Sequence, residues 1–391
     1  MTNLTNYGFD SDLQQIYDMI WNYSRDELHP LWQKMDEEDW FPEEQFRKLS
    51  EIGVLGITAP EEYGGAGLDE IAQVMAAEAM SYWNHTMCAN YLAHDNLCVN
   101  NLLRNGSDDI KERFVTRLAD GSAIGCLGIT EPGAGSDALG SMKTTAMRDD
   151  DDYLINGRKM FITNGPCADI IMLYAKTNPK LGAHGISAFV LDADTPGFSV
   201  AQKLSKIGWK GSETGEFVFD NCRVPAANMV GEENQGVGIV MSGLNIERVV
   251  LAASTVGIAQ RALDISVQYA KDREQFNRPI GSFQMVQSML ADMYTGVETM
   301  RSFVYQLSKE VSQMKKGEGG RGEIHKRTAA AVLHCGRTLM QILDMGVQIH
   351  GGMGFITESE INWLYRSGKI YEIGAGTNEV RKGIIAGELL K

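Results

Sequence analysis

The sequence predicts an α+β protein with helical N-terminal and C-terminal regions on either side of a β-rich middle region. Before residue 120, apolar residues recur at three- and four-residue steps, which is typical of amphipathic helices. From about 121 to 230, short runs of β-branched and aromatic residues alternate with Gly, Asn, Asp and Pro, which indicates strands and turns. Proline is then almost absent, which favours long helices. We therefore predict three domains, at residues 1–120, 121–230 and 231–391.

The first two regions contain several recognisable elements. Residues 12–38 have helical spacing, and residues 60–80 (PEEYGGAGLDEIAQVMAAEAM) combine a Gly-rich turn with another helix. Five runs of the middle region predict strands: AIGCLGIT, YLINGRKMFITNG, DIIMLYAKT, GISAFVLDA and GEFVFDNCRVP. The segment RDDDDYLING at 148–157 is interpreted as a hairpin whose aspartates form a solvated tip.

The C-terminal region is predicted from its proline positions. Pro279 is the only proline after Pro225, so residues 236–315 and 323–350 are predicted to be long helices. Near the end of the chain, YEIGAGTNEV is interpreted as an extended arm, at Tyr371 and Ile373, that enters a sharp Gly-Ala-Gly turn. Such a turn can approach a ligand closely, but it contains no acid or base.

The composition argues against several classes of partner. Apolar residues make up 43% of the chain and charged residues 22%, as in ordinary globular proteins. The net charge of −15 argues against nucleic acid or an anionic membrane as the main partner. The N-terminal segment has no secretory signal, and no run of about 20 apolar residues predicts membrane insertion. The six cysteines are scattered without a CxxC pair, which favours a reduced, cytoplasmic protein whose cysteines serve packing.

Three familiar motifs do not predict a function here. GEGGRG at 317–322 matches a dinucleotide fingerprint in letters only, because it follows a helix rather than a strand, and it is interpreted as a solvent loop. HGGMG at 350–354 is similar to an esterase oxyanion segment, but the chain has no GxSxG nucleophile. The seven histidines have no metal-ligand spacing, so no metal is predicted.

Four other stretches, in this order, resemble the acyl-CoA dehydrogenase family of flavoproteins. They are LGITEPGAGSDALG at 127–140, KMFITNG at 159–165, KDREQFNRPIGSFQ at 271–284 and QIHGGMGF at 348–355. The Gly-rich turn of the first stretch can offer backbone N–H groups and hydroxyls to a flat heterocycle or a pyrophosphate. The resemblance extends from about residue 15 to the end. It implies a helical N-terminal domain, a β-barrel or β-sandwich middle domain, a C-terminal four-helix bundle, and FAD as cofactor.

The resemblance also implies which residues bind FAD. Those that would contact the isoalloxazine are Leu127, Ile129, Thr130, Gly135, Ser136, Phe161, Ile162 and Thr163, with Phe161 standing where relatives often have tryptophan. Those that would contact the rest of FAD are Arg273, Gln284, Gln348, Gly351, Gly352, Thr377 and Glu379. The Arg273, Gln284 and Gln348–Gly352 contacts cross a subunit boundary in the family. This implies a homotetramer, a dimer of dimers, in which a single chain holds half of each FAD pocket.

The catalytic base is the main departure from the family pattern. Most relatives place a glutamate directly before the Gly-Thr of the C-terminal turn, where this chain has Ala375. The reaction removes the α-proton of a thioester while hydride leaves the β-carbon for flavin N5, so a base is still required. Glu247, in SGLNIERVVLAAS at 242–254, is the candidate, because apolar neighbours on a helix should raise the pKa of its carboxyl. The alternative is a surface pair between Glu247 and Arg248. MSGLNIERVVLA followed by YEIGAGTNEV is similar to the isovaleryl-CoA dehydrogenase branch, which also moves its base onto this helix.

This resemblance predicts the acyl-CoA site. The space left at Gly374 and Ala375 would accept a branch on the acyl chain, and the Ala375 N–H would polarise the thioester carbonyl. The predicted substrate-binding residues are Ser136, Asp95, Leu244, Asn245, Arg248, Tyr371, Gly374, Ala375 and Gly376. Asp95 stands where the isovaleryl branch has serine. It either faces solvent or pairs with His94, or it faces the acyl end and favours a polar or cyclic substrate of the cyclohexane- or cyclohexene-carboxyl-CoA type.

The sequence thus predicts FAD-dependent α,β-dehydrogenation of a branched, short or medium acyl-CoA. Isovaleryl-CoA is the leading substrate, and the family implies an electron-transferring flavoprotein as acceptor. Two alternatives stay open: an oxidase or reductase reaction on the same fold, and a non-catalytic paralogue that binds acyl-CoA or FAD.

Overall fold

The computed structural model describes residues 1–314 and 320–391, and it confirms the helical–β–helical order that the sequence predicts. The N-terminal helices are α1 Ser11–Tyr23, α2 Trp32–Glu38, α3 Glu43–Arg47, α4 Glu70–Tyr91, α5 Asn100–Asn105, α6 Asp108–Ile110 and α7 Thr116–Ala119. Asp69 caps the N-terminus of α4, because its side chain accepts hydrogen bonds from the Ile71 and Ala72 N–H groups. It is buried along almost its whole length, and a wider π-helical segment, Leu92–Val99, joins it to α5. Helix α4 is kinked at Asn84, where φ is −148° and ψ is 87°, so α4 and α5 are linked but not collinear parts of one helical segment.

The middle region folds into an eight-stranded mixed sheet within the described residues. Its strands are β1 Gly125–Gly128, β2 Thr145–Asp149, β3 Asp152–Thr163, β4 Ile170–Lys176, β5 Ile186–Asp192, β6 Phe198–Lys203, β7 Thr214–Pro225 and β8 Met229–Val230. The strand order is β6-β7-β3-β2-β4-β5-β8, and β1 pairs with β4 in parallel. The predicted acidic hairpin is confirmed between β2 and β3, with Asp150 at a φ of 53°. Strand β6 was not among the predicted runs, because its exposed residues show no buried face.

The C-terminal region corrects one helix prediction. Its elements are α8 Gly236–Asp272, β9 Glu274–Gln275, β10 Arg278–Pro279, α9 Gln284–Val311, α10 Gly322–His350, α11 Gly352–Phe355, α12 Glu360–Gly368 and α13 Asn378–Leu389. A single helix over 236–315 is wrong, because a small hairpin that includes Pro279 separates α8 from α9. The helix over 323–350 is confirmed as α10. Half of the loop predicted at 317–322 lies outside the described residues, and Gly322 is the first residue of α10.

Helix α8 is the central element of the molecule. It packs against α4, α9 and α10, and residues of the N-terminal and C-terminal helices such as Met75, Val250 and Leu339 belong to a single apolar core. Of the described helices, only α8 is long and apolar enough to cross a membrane, but 56% of its apolar window is buried inside the fold. A helix that is apolar on most sides is typical of a protein core. This core fixes α8 against α4, and a second apolar cluster that includes Leu102 and Ile239 packs α5 on α8.

The cysteines serve packing, as the sequence suggests. The described residues include all six, and no disulfide forms among them. Five are buried, and Cys167 is half-buried. Burial raises the pKa of the Cys335 thiol to about 12 and that of Cys222 to about 11, so these thiols stay protonated and unreactive at neutral pH.

Candidate active site

The candidate base, Glu247, lies on α8 at the place where this helix faces α5. Its side chain is 13% exposed. Its Oε1 accepts hydrogen bonds from Asn101 Nδ2 and from Arg104 Nη2, both at 3.1 Å. Burial raises the pKa of the Glu247 carboxyl, and Arg104 opposes that rise without cancelling it. A carboxyl of raised pKa at the edge of a core is suited to proton transfer near neutral pH.

Arg248 does not form the surface pair with Glu247 that the sequence left open, so this alternative is wrong. The two side chains leave α8 in different directions, and Arg248 is buried against α10, where Nη1 donates to His325 Nδ1 at 3.2 Å. Asn245 lies on the same side, and its Oδ1 accepts from Thr328 Oγ1 at 3.1 Å. Both Asn245 and Arg248 are thus engaged within the helical bundle, and Leu244 is half-buried. Their contact with substrate stays a prediction.

The Gly-Ala-Gly turn follows a helix and not a strand, so the extended arm predicted for Tyr371 is wrong. Residues Lys369–Glu372 form a 3-10 turn after α12. Arg381 fixes the segment, because its guanidinium donates to Tyr371 O and to Gly374 O at 2.7 Å each. Ala375 has a φ of 51°, an uncommon conformation for a residue other than glycine, and Gly376 has a φ of 89°. The Ala375 N–H donates to no acceptor among the residues that the structure describes.

Tyr371, which precedes the turn, contacts the side of α8 that carries Glu247. The hydroxyl of the buried Tyr371 accepts a hydrogen bond of 3.1 Å from Ser254 Oγ. Ser254 is seven residues after Glu247, which is two helical turns and therefore nearly the same face. The structure thus anchors the segment before the Ala375 turn to the α8 face of the candidate base, about 10 Å further along the helix.

The Gly-rich stretch at 127–140 is joined to β3 by an ion pair that the solvent barely reaches. Lys159 Nζ donates to Glu131 Oε1 at 3.0 Å and to Ile129 O at 3.1 Å, and Met160 N donates to Thr130 O at 2.8 Å. These bonds bring Leu127–Thr130 beside Phe161–Thr163. Gly135 and Ser136 are exposed, and a Cβ added at Gly135 would meet no atom within 4 Å. The stretch therefore forms an open, polar cradle next to β3.

Phe161 leaves the ordinary geometry of β3. Its φ is 62°, its side chain is among the exposed large apolar groups at 65%, and the pairing with β7 is irregular between Lys159 and Ile162. A strained backbone that turns an aromatic ring outward is a feature of functional sites. Ile162 remains buried and anchors the strand. A flat aromatic ligand laid on this ring would lie over the cradle, so these residues fit the isoalloxazine of FAD.

The remaining FAD residues form separate groups. Arg273, Gln284, Gln348, Gly351 and Gly352 are all exposed. Tyr269 stacks on His350 with ring centroids 4.3 Å apart, which brings the end of α8 to the end of α10. Among the described residues, no hydrogen bond joins this group to the cradle. Thr377 caps α13 by accepting from Val380 N, and Glu379 is exposed on its first turn.

Asp95 is fully buried, so the interpretations that it faces solvent or pairs with His94 are wrong. Its two oxygens accept from Gly56 N at 2.6 Å and from Gln73 Nε2 at 2.8 Å. His94 instead contacts Leu118 O and accepts from Gly125 N. Burial raises the pKa of the Asp95 carboxyl to about 7. A role at the acyl end stays a prediction, because both oxygens already have protein partners.

Comparison with known proteins decides the family. Models of the acyl-CoA dehydrogenase N-terminal, middle and C-terminal domains match residues 10–122, 126–222 and 234–390. Two Solanum tuberosum proteins, a mitochondrial 2-methylacyl-CoA dehydrogenase and a mitochondrial isovaleryl-CoA dehydrogenase, are 41% and 40% identical over 99% of this chain and 92% of their own. The chain belongs to the acyl-CoA dehydrogenase family. It is a flavin-dependent oxidoreductase, and its cofactor is FAD.

Solved structures agree with this assignment. Butyryl-CoA dehydrogenase from Megasphaera elsdenii has a TM-score of 0.93 and 34% identity, over 98% of this chain and 99% of its own. The acyl-CoA dehydrogenase fold predicted from the sequence is therefore confirmed. An FAD complex of PigA is similar as well, with a TM-score of 0.91 and 29% identity over 97% and 98% of the two chains.

Sequence reasoning missed the residues that hold the candidate base and the turn. Asn101, Arg104 and Arg381 carry no motif, and their partners are distant in sequence or lie on another element. One signal was available at Gly243, four residues before Glu247. Glycine inside a helix costs about 1 kcal/mol relative to alanine, so it often marks a close approach by another group.

Proposed function

We propose that the protein catalyses α,β-dehydrogenation of a branched, short or medium acyl-CoA, with Glu247 as the base. The observation that carries this proposal is the mostly buried carboxyl of Glu247 on the α8 face that Tyr371, just before the Ala375 turn, also contacts. Glu247 takes the α-proton while hydride leaves the β-carbon, and the C–H electron pairs become the new double bond and the hydride. The chain has no carboxylate at Ala375, so the base on α8 completes the reaction.

The chain's own groups have distinct tasks in this proposal. The unpaired N–H of Ala375 donates to the thioester carbonyl and stabilises the negative charge that develops there as the α-proton leaves. Phe161 and the 127–136 cradle hold the flavin ring, and Arg273, Gln284 and Gln348–Gly352 hold the rest of the cofactor. FAD, when bound, supplies the hydride acceptor. Burial of Glu247 against α5 keeps the pKa of its carboxyl raised.

The proposed substrate is isovaleryl-CoA or a closely related branched acyl-CoA. Gly374 and Ala375 give this turn no bulky side chain. A Cβ added at Gly374 would approach Ile370 O to 3.3 Å, so a larger residue there would crowd the turn. Names of similar proteins support a branched substrate, since they include 2-methylacyl-CoA and isovaleryl-CoA dehydrogenases. A cyclic acyl-CoA is the alternative, with Asp95 at its far end. Turnover of isovaleryl-CoA and cyclohexane-carboxyl-CoA by Asp95→Ser tests this alternative, which an unchanged preference would exclude.

The partners and location follow from the same proposal. We infer a homotetramer, because the exposed Arg273 group and the cradle of one chain are separate and each would complete a pocket of another copy. We also infer a cytoplasmic enzyme that passes electrons to an electron-transferring flavoprotein. Gel filtration with light scattering tests the tetramer. Oxygen consumption without an added carrier would instead favour an oxidase.

An anaerobic visible spectrum tests the central proposal. Purified protein should be yellow, and addition of isovaleryl-CoA should bleach the flavin band. A protein that stays yellow with isovaleryl-CoA but bleaches with another acyl-CoA would remove the leading substrate only. A protein that retains no flavin and binds acyl-CoA unchanged would be the non-catalytic paralogue, and the proposal would be wrong.

A further inference from the structure

The carboxylate of Glu247 is held by one oxygen only. Both donors, Asn101 Nδ2 and Arg104 Nη2, point at Oε1. Oε2 accepts no hydrogen bond from the residues that the structure describes. Asn101 and Arg104 are three residues apart on α5, so they share one face of a short helix. The arrangement therefore fixes the carboxylate while it leaves a single oxygen open.

Asn101 is itself fixed in orientation. Its Oδ1 accepts from Tyr174 Oη at 3.2 Å, and its Nδ2 also donates to Leu97 O at 2.7 Å. With the oxygen occupied by a hydroxyl donor and one amide hydrogen on Leu97 O, the other amide hydrogen must point at Glu247. Tyr174 is buried on β4, so the sheet determines which way this amide faces.

Arg104 reaches Glu247 only because residue 243 is glycine. A Cβ at Gly243 would lie 1.7 Å from Arg104 Nη2 and 2.6 Å from Glu247 Oε1. No side chain but hydrogen leaves room for the guanidinium between α5 and α8. The sequence accepts a glycine inside the longest helix of the described chain, and the space it leaves is filled by this ion pair.

We propose that Asn101 and Arg104 are positioning residues that hold Glu247 by Oε1 and present Oε2 to the α-proton of the substrate. This inference rests on the proposed role of Glu247 as the base. Gly243 gives Arg104 its space, and Tyr174 orients Asn101. The two hydrogen bonds to Oε1 leave Oε2 free and fix its direction. Fixed geometry of the reacting groups accounts for a large part of catalytic rates.

Arg104 also adjusts the pH range of the base. Arg104 and Asn101 from α5 and Tyr174 from β4 face Glu247. Arg248 of its own helix points towards α10 but adds its positive charge. The two arginines favour the ionised carboxylate, whereas burial favours the protonated form. Loss of Arg104 should therefore raise the pKa of Glu247 further. Because a base must be ionised, the acid limb of the rate profile would move to higher pH.

The first experiment compares Arg104→Met with Arg104→Lys and with the control Arg113→Met. Arg113 is half-exposed and pairs with Asp109 away from the site. The bleaching rate at saturating isovaleryl-CoA, measured by stopped flow from pH 5.5 to 9, should fall at least about tenfold at pH 7 in Arg104→Met. Its acid limb should move up by about 1 to 3 pH units. Arg104→Lys should restore part of the shift, and Arg113→Met should match wild type. An unmoved acid limb in Arg104→Met would overturn the inference.

Gly243→Ala tests the same contact without removal of any charge. The added methyl must displace Arg104 or Glu247, so this variant should show the same upward shift of the acid limb. Alanine favours a helix over glycine, so loss of helical structure does not explain a slower rate. A wild-type profile in Gly243→Ala would contradict the proposed hold.

A double-mutant cycle makes the inference testable even if isovaleryl-CoA is not the substrate. Tm values of Glu247→Gln, Arg104→Met and the double variant should be strongly non-additive, because the two groups share one contact. Additive Tm shifts would overturn the inference while Glu247 could still be the base. Conversely, ordinary activity in Glu247→Gln would remove the proposed function, whatever the Tm values show.

Discussion

Two carboxylate–cation pairs in this molecule differ in their exposure and in the number of carboxylate oxygens that have hydrogen-bond partners. The Glu131–Lys159 pair beside the cradle is almost dry, with side chains 5% and 0% exposed, and both Glu131 oxygens have partners. The Glu247–Arg104 pair is 13% and 20% exposed, and the described residues supply partners to one oxygen alone. A pair whose bonding is complete can only support structure. A pair with one free oxygen at a partly open edge can still accept a proton.

The pKa values of the two carboxyls are shifted in opposite directions. Burial by itself raises the pKa of the Glu131 carboxyl, but Lys159 and the Lys143 and Thr144 N–H groups hold it below its ordinary value. Burial lowers the pKa of Lys159 to about 8, so the pair stays ionised at neutral pH. In Glu247 the balance is reversed, and the net effect is a raised pKa. The number of donors to each carboxylate, and not burial alone, separates a structural acid from a candidate base.

The largest expected effect comes from Glu247→Gln. The amide fills the same volume but cannot take a proton, so the bleaching rate should fall by several orders of magnitude. FAD content should stay at the wild-type level, because no cradle residue changes. Stopped-flow bleaching and the ratio of flavin to protein absorbance measure the two outcomes. A rate within about tenfold of wild type would exclude Glu247 as the base.

Lys159→Met should be the most destabilising of the changes considered. It leaves the Glu131 carboxylate buried without its cation, which typically costs about 3–5 kcal/mol of unfolding free energy. FAD should also be lost, because Lys159 links the cradle to β3 through Ile129 O. Urea unfolding and flavin content measure both effects. The double variant Glu131→Gln/Lys159→Met should recover much of the stability, and no recovery would mean that packing rather than charge is the cause.

Asp95→Ser tests the effect of burial on a third carboxyl, through the pH dependence of the unfolding free energy. The folded-state pKa of Asp95 is about 7 against an ordinary value near 3.8, so the folded protein holds this proton more tightly than the unfolded chain. Its contribution to stability is therefore present below about pH 4 and is lost as pH rises through about 7, by at most about 4 kcal/mol. The difference in unfolding free energy between wild type and Asp95→Ser should change with pH in this window. A constant difference from pH 4 to 8 would contradict the raised pKa.

The smallest effect is expected for Arg223→Met. Arg223 bridges Asp149 and Asp152 beside the β2–β3 hairpin, where the three side chains are 50%, 45% and 29% exposed. Exposed pairs of this kind contribute little, because water and salt screen them. Tm, flavin content and bleaching rate should all equal those of wild type. A clearly lower Tm would show that exposure does not predict how much an ion pair contributes to the stability of this protein.

Much of the fold was accessible from sequence because it depends on local pattern. The short apolar run at residues 186–192 indicates a buried strand and the spacing at 323–350 indicates a helix, and both elements formed as predicted. The failures occur where pattern is weak. Strand β6 is exposed on most positions, and the break between α8 and α9 is a short hairpin that a helical reading of the region passes over. The Gly-rich sequence after Tyr371 favours the prediction of an extended segment and does not indicate the 3-10 turn that contains this residue.

The candidate site likewise has features that the sequence predicts and features that depend on tertiary packing. The sequence alone determined the three-region order, the family resemblance, and a glutamate on α8 in place of one at Ala375. Only the tertiary structure decided that Asn101 and Arg104 meet Glu247 across 146 and 143 residues, that Arg248 turns to α10 instead, and that Asp95 is enclosed. Periodicity reports which side of a helix is buried, but it does not report what lies opposite. That depends on how α5 packs on α8, which the apolar cluster of Leu102 and Ile239 and a single glycine determine.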